Sequence, residues 1–188
     1  MSLLTDSLGV PLPLHISLSA PLVLRTETKD TFRAAMISAL STEARRIDRL
    51  SVSPARLSWF ANAERSRSFL VLGVTEPEGD GQVLNRLLAA SNGVAQKFGC
   101  ARLCAGGREE MDGEKIDGER DASGAFHISL AWSLDVEQRI DDRHVKEGSR
   151  FAQLLDKAKD LSISFSHVKL RLGKDVSSVP FGRARNHS

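Results

Sequence analysis

Only two cysteines occur in the chain, Cys100 and Cys104, four positions apart in a CARLC stretch. That spacing suits neither a CxxC redox pair nor a zinc knuckle, and reduced, buried thiols are expected. An excess of one charge is also missing, since 26 Lys and Arg against 24 Asp and Glu leave a formal net charge of +2. A sequence-blind nucleic-acid coat or a membrane-surface binder needs a stronger basic excess, so any anionic ligand has to be held by local groups. No apolar run reaches bilayer length, and the opening MSLLTDSLGVPLPL has no basic n-region. Neither a membrane span nor a signal peptide is expected, and an intracellular compartment is. At 188 residues and 41% apolar content, the chain is long enough for one full core, or for two small lobes sharing an interface.

Periodicity orders the elements. From Leu12 to Leu18 the chain alternates, with Leu14, Ile16 and Leu18 on one side and His15, Ser17 and Ser19 on the other, as in a strand. From Thr28 to Arg46 the spacing of Phe32, Ala35, Met36, Ala39, Leu40 and Ala44 is helical, with charges opposite them. Runs at Ala55–Phe60 and Ser68–Thr75, joined by ANAERSR, predict a β-hairpin. A second helix is expected from about Gly81 to Phe98, stopped by Gly99, followed by a short strand ARLC. The glycine- and charge-rich stretch of about 105–124 has no period and reads as a mobile surface loop. Then the opening plan recurs: strand AFHISLAWSL, helix from about Asp141 to Asp160, strand ISFSHVKLRL, turn GKD and strand VSSVPF, before a basic tail. Both halves spell strand, helix, strand, strand. The fold class expected is α/β of the α+β kind, a single domain over 1–188 with two lobes of about 12–75 and 125–181 related by a pseudo-two-fold axis about a central cleft.

The repeat carries chemistry. His-Ile-Ser-Leu occurs at His15 and again at His127, in similar apolar flanks. A strand advances ~3.3 Å per residue, so the histidine and the serine two positions on have α-carbons ~6.6 Å apart and point the same way. If the two strands face each other, two imidazoles flank a small space into which Ser17 and Ser129 project as hydrogen-bond donors. A phosphate group fits there. Imidazole has an unperturbed pKa of roughly 6.5, so both its forms coexist near neutrality and a pair can divide acid and base duties. On an RNA phosphodiester, one ring takes the ribose 2′-hydroxyl proton and the other protonates the departing 5′-oxygen, leaving a 2′,3′-cyclic phosphate. The serines donate to the non-bridging oxygens, a task that needs no metal.

A single His-x-Ser in a strand is most simply structural; its repetition at equivalent points of a repeated plan favours one shared site. A metal centre wants further ligands at ordered spacing, and His144, His167 and His187 fall in a helix start, a strand and the tail without convergence. No metal and no cofactor is expected. Phe126 and Trp132 read as packing residues. Trp59 and Phe60, near the hairpin turn, offer base stacking as an alternative to packing, and Arg65, Arg67, Lys169 and Arg171 read as a solvated strand face rather than a phosphate patch.

The paired motifs resemble those of the 2H phosphoesterase superfamily. The fuller pattern, LHISLS, ERSRSFLVLGV, FHISLAW and a closing VPF after a GK turn, resembles the U6 small nuclear RNA phosphodiesterase family from Leu14 to about Phe181. The resemblance implies two lobes of antiparallel sheet with flanking helices. It also implies a metal-independent 3′-to-5′ RNA exonuclease that trims the oligouridine tail of U6 RNA in the nucleus and leaves a cyclic or 3′-phosphate end. By position, His15 and His127 match the family's proton donor and acceptor, and Ser17 and Ser129 its phosphate-binding hydroxyls. Ser123 and Ala125 match contacts to the terminal nucleotide. The expected partner is the RNA 3′ end, with no membrane, for a monomer.

The sequence departs from that pattern in three places. Fourteen residues precede His15, where the family carries a strand and a helix. Asp121 stands where the family has an aromatic six residues before the second motif's histidine, and the chain has no tyrosine. The family's uridine-reading glutamine aligns with Ala63, and Asn62 beside it is the candidate to take over. Two other readings stay open: a 2′,3′-cyclic phosphodiesterase that admits water to the same site, and a truncated, non-catalytic copy that binds RNA ends.

Overall fold

The computed structural model describes residues 2–62, 64–77, 82–104, 121–134 and 150–182. Most of the expected loop, the first half of the last expected helix, Ala63, His144, His187 and the basic tail lie outside the described residues. The chain forms two compact units, each assembled from three segments. One comprises Met1–Ser17, Val52–Pro77 and Gly124–Ile163; the other comprises Leu18–Ser51, Glu78–Ser123 and Ser164–Ser188. The architecture is mixed α+β, antiparallel sheets with flanking helices.

The first unit is built on β1 (Leu50–Ala61, from Val52 onward), β2 (Ser68–Thr75) and β3 (His127–Ser133), neighbours in a sheet of order β3-β2-β1-β4 whose fourth strand is β4 (Ile163–Phe165). Val52, Val71, Val74, Phe126 and Ile128 are among its buried apolar side chains. The hairpin of β1 and β2 forms where the two apolar runs predict it, with β1 starting five residues earlier than Ala55 and bulging between Pro54 and Arg56. Proline has no N–H for the ladder, and a bulge is one of the few places a strand tolerates it.

The second unit packs α1 (Lys29–Ala44) against α2 (Val83–Lys97) and the β5–β6 hairpin (His167–Leu172 and Asp175–Pro180). Phe32, Met36, Leu40 and Ala44 recur every four residues on α1, and all are buried. From α2, Val83, Leu84, Leu87, Leu88, Val94 and Ala95 are buried. Just beyond α2, the Phe98 ring meets Phe32 edge-on with centroids 5.1 Å apart, the arrangement aromatic quadrupoles favour. Gly99, at φ +69°, ends α2: its N–H donates to the Gln96 carbonyl at 3.0 Å and that of Cys100 to the Ala95 carbonyl at 2.9 Å. Those two bonds are the helix stop that glycine permits. Lys29 and Arg33 each approach Asp175 to 2.7 Å, tying the start of α1 to the β5–β6 turn. The hydrogen bond and charge of Lys29, then those of Arg33, hold the Asp175 carboxyl below the usual carboxylate range.

Four expectations are corrected. ARLC is not a strand: the Asn92 amide grips Leu103, donating to its carbonyl and accepting its N–H, both at 2.9 Å, and Cys104 turns at φ +57°. A side-chain amide here satisfies the backbone groups that a neighbouring strand would have used. Both cysteines are free, but only Cys100 is half-buried while Cys104 is exposed. The run ISFSHVKLRL is two strands in different sheets, β4 and β5, broken at Ser166, whose carbonyl accepts the Phe181 N–H at 2.9 Å. The break is visible in the sequence, because the apolar positions change from odd (Ile163, Phe165) to even (Val168, Leu170, Leu172) across it. The stretch Leu12–Leu18 forms no regular strand and pairs only at Ile16. Prolines at 11, 13 and 21 withhold the donors a longer ladder needs. Among the described residues, no helix is long and apolar enough to cross a membrane.

Candidate functional site

Register sorts the first unit's sheet into rows. Arg56 on β1 lies opposite Gly73 on β2, which lies opposite His127 on β3; Ser58, Val71 and Ser129 form the next row. Paired residues project to the same side of a sheet, as do residues two apart along a strand. His127, Ser129, Arg56 and Ser58 therefore share one face. The other face carries Leu57, Leu72 and the buried Ile128.

A bulge then intervenes on β3. Leu70 pairs with Ala131 and Val71 with Ser129, which leaves Leu130 without an opposite number on β2. Its carbonyl instead accepts the Leu3 N–H at 2.8 Å. The extra residue resets the alternation and brings Trp132, opposite Phe69 and through it Phe60, to the histidine face. Phe60 is 61% exposed, and its ring centroid lies 6.4 Å from that of His127. Trp132 is half-buried beneath the Arg67 guanidinium, 4.8 Å from its ring centroid.

The first motif reaches β3 by way of a turn. Asp6 accepts the N–H groups of Leu8 and Val10 at 2.8 and 2.9 Å, Gly9 takes φ +79°, and Thr5 bridges Pro11. Further on, Ile16 makes an antiparallel bridge to Ile128. In antiparallel pairing, the residues flanking a bridge fall opposite each other and project to the other face. His15 is thus set across from Ser129, and Ser17 across from His127, with Ile16 and Ile128 on the reverse side. The register of that bridge gives the four polar residues the corners of a rectangle, with the histidines on one diagonal and the serines on the other. His15 and Ser17 are exposed, and His127 and Ser129 half-buried, so all four reach solvent.

Nδ1 of His127 lies 2.8 Å from the Ala125 carbonyl oxygen. A carbonyl can only accept, so this contact requires the proton on Nδ1, and the neutral ring then carries its lone pair on Nε2. Ala125, a candidate nucleotide contact from the sequence, is here the group that orients the imidazole. The other two candidates have local partners. The Asn62 carbonyl oxygen accepts the N–H groups of Ser66 and Arg67 at 2.9 and 3.0 Å, and its amide donates to the Ser66 hydroxyl at 2.9 Å. Asn62 thereby closes the β1–β2 loop. Ser123 belongs to the second unit, where its hydroxyl and N–H both donate to Asp121, and Asn85 on α2 donates to the same carboxylate at 2.7 Å. The Ser123 hydroxyl, its N–H and the Asn85 amide, in that order of effect, hold Asp121 below the ordinary carboxylate range. Among the described residues, no group of three or more His, Cys, Asp and Glu is placed to hold a metal ion.

The family model described as HVSL, an uncharacterised conserved protein, matches residues 1–180. The chain belongs to the HVSL family. Among curated proteins, U6 snRNA phosphodiesterase 1 of Neurospora crassa is 29% identical to it over 168 residues, 81% of this chain. This HVSL chain spans 38% of that relative's length. Among solved structures, Usb1 of Kluyveromyces marxianus superposes with a TM-score of 0.59 at 17% identity, over 96% of this chain and 80% of that one. Usb1 with uridine monophosphate gives 0.54 at 16% identity, with the same coverages. The fold is shared, and the resemblance to the U6 small nuclear RNA phosphodiesterase family read from the fuller sequence pattern is borne out.

Arg56 escaped the sequence reading. The signal for it was Gly73, a glycine inside an otherwise apolar strand, which marks a place where something passes close to the backbone. The bulge that turns Trp132 to the histidine face leaves no mark in local composition.

Proposed function

We propose that this chain is a metal-independent 3′-to-5′ RNA phosphodiesterase that shortens the oligouridine end of U6 RNA, with a nuclear role. The observation that supports the proposal is the Ile16–Ile128 bridge, in whose register both His-x-Ser motifs fall on one face, with all four side chains open to solvent. Similarity to the Neurospora U6 snRNA phosphodiesterase supports the choice of RNA end.

His127, with Nε2 free to accept, removes the proton from the 2′-hydroxyl of the penultimate ribose. The 2′-oxygen bonds to phosphorus and the bond from phosphorus to the 5′-oxygen breaks. His15, as imidazolium, protonates that oxygen, so the terminal nucleoside leaves with a 5′-hydroxyl and the shortened chain ends in a 2′,3′-cyclic phosphate. Ser17 and Ser129 donate to the non-bridging oxygens, where hydrogen bonds held in place beforehand favour the more highly charged transition state. Incubating a 3′-hydroxyl oligouridine in chelator and weighing its ends is expected to reveal a ladder of shortened chains bearing cyclic phosphate. Intact oligomer, with a cyclic mononucleotide opened instead, favours the water-admitting phosphodiesterase.

The aromatic row beside the rectangle has a matching task. Phe60 exposes its ring next to His127, where a nucleobase attached to the bound phosphodiester can stack. Base–aromatic stacking is worth about 1–3 kcal/mol, so Phe60→Ala is expected to raise KM for oligouridine roughly 5- to 150-fold while kcat changes little. An unchanged KM removes Phe60 from substrate binding.

A further inference from the structure

We infer that Arg56 is a positioning residue for His127, acting through the backbone of Gly124–Phe126, and that Gly73 lacks a side chain so that Arg56 can reach across. This assignment rests on the proposed role of His127. Arg56 and His127 sit on strands separated by β2, in one row with Gly73 between them. The Arg56 side chain lies over that glycine, since a Cβ at position 73 would fall 2.5 Å from its Cγ, 2.9 Å from its Nε and 3.3 Å from its Cδ. Any side chain there closes the route. Having crossed, Arg56 donates from Nη2 to the Gly124 carbonyl.

Three consecutive carbonyls ahead of β3 are thereby held by three different donors. Arg56 takes that of Gly124, Nδ1 of His127 that of Ala125 at 2.8 Å, and the Val74 N–H that of Phe126 at 3.0 Å. The Ala125 carbonyl that sets the His127 tautomer hangs between two peptide planes pinned to the sheet, one through Val74 and the other through Arg56. Releasing the Gly124 plane lets the Ala125 carbonyl turn away, and with it go the preferred tautomer and aim of the ring. Arg56 is itself exposed, so its removal leaves no buried charge behind.

The test pairs kinetics with the ring nitrogens of His127, observed by 15N NMR in the free protein. Arg56→Ala is expected to lower kcat on oligouridine on the order of 10- to 100-fold, as a misaimed proton-transfer group does, with KM little changed and the single Nδ1-protonated signature of His127 replaced by a tautomer mixture. Arg56→Lys, which keeps one donor, restores part of both. Gly73→Ala reproduces the Arg56→Ala phenotype by displacing the arginine, and is silent when added to Arg56→Ala, as two changes acting through one interaction are. A rise in KM with kcat and tautomer intact makes Arg56 a phosphate contact and overturns the assignment. So does an additive Gly73→Ala. If the wild-type protein cleaves no RNA, the proposed function fails, while the tautomer measurement still decides what Arg56 does to His127.

Discussion

Alanine at His127 or at His15 is expected to lower kcat on oligouridine by about 10²–10⁴-fold each, the usual contribution of a placed acid or base. The two variants are expected to part company when the leaving group changes. p-Nitrophenolate departs without needing a proton, so uridine 3′-(p-nitrophenyl phosphate) makes the acid dispensable while still requiring a base for the 2′-hydroxyl. His15→Ala should recover most of its rate on that substrate, and His127→Ala should not. The assignment is the proposed one, in which His127 is neutral, donates from Nδ1 to the Ala125 carbonyl and accepts at Nε2. Recovery by His127→Ala alone reverses the roles; recovery by neither places the rate-limiting demand elsewhere. Because His15 is exposed and His127 half-buried, neither truncation opens a cavity of the kind that unfolds a domain, and circular dichroism of the variants checks this.

A single 2′-deoxy nucleotide at the penultimate position of oligouridine is expected to abolish the first cut, while the same change at the terminal position leaves it intact. The attacking oxygen belongs to the ribose on the 3′-oxygen side of the scissile phosphate, and without it no ring can close on phosphorus. A water-activated hydrolase is indifferent to both changes. Electrophoresis of two end-labelled oligomers separates the mechanisms, and equal cleavage of both sinks 2′-hydroxyl attack. The result is independent of which histidine is the base. It also bears on the serines: if the rectangle of His15, Ser17, His127 and Ser129 holds the phosphate, the penultimate-deoxy oligomer still binds and acts as a competitive inhibitor with an affinity close to that of the cleavable RNA.

Much of the architecture can be read locally. The helical spacing of Phe32, Ala35, Met36, Ala39, Leu40 and Ala44 predicts α1 and the side it turns inward, where Phe32, Met36, Leu40 and Ala44 are buried, and Gly99 predicts where α2 stops. Both depend on interactions within a few residues, so the sequence alone suffices. The mistakes have a common origin. ARLC alternates like a strand but meets the Asn92 amide instead of a neighbouring ladder. PLHISLSAPL also alternates, yet its prolines and its single bridge leave it an extended segment rather than a strand. Alternation reports which side chains want burial; it does not say whether a partner strand is present.

The same division runs through the site. Residue type and repetition determined, with no structure at all, that two imidazoles and two hydroxyls are available at matched spacing, and that their chemistry suits a phosphodiester. Tertiary structure alone decided that Ile16 faces Ile128, so that the four groups occupy crossed diagonals. It alone decided that Leu130 bulges, turning Trp132 to the histidine side, and that Arg56 passes over Gly73 to the backbone ahead of His127. The physical reason is that spacing along a strand follows from backbone geometry, which every residue carries with it. Register between strands, and the path of a long side chain across them, are chosen by the sum of contacts among segments far apart in the chain.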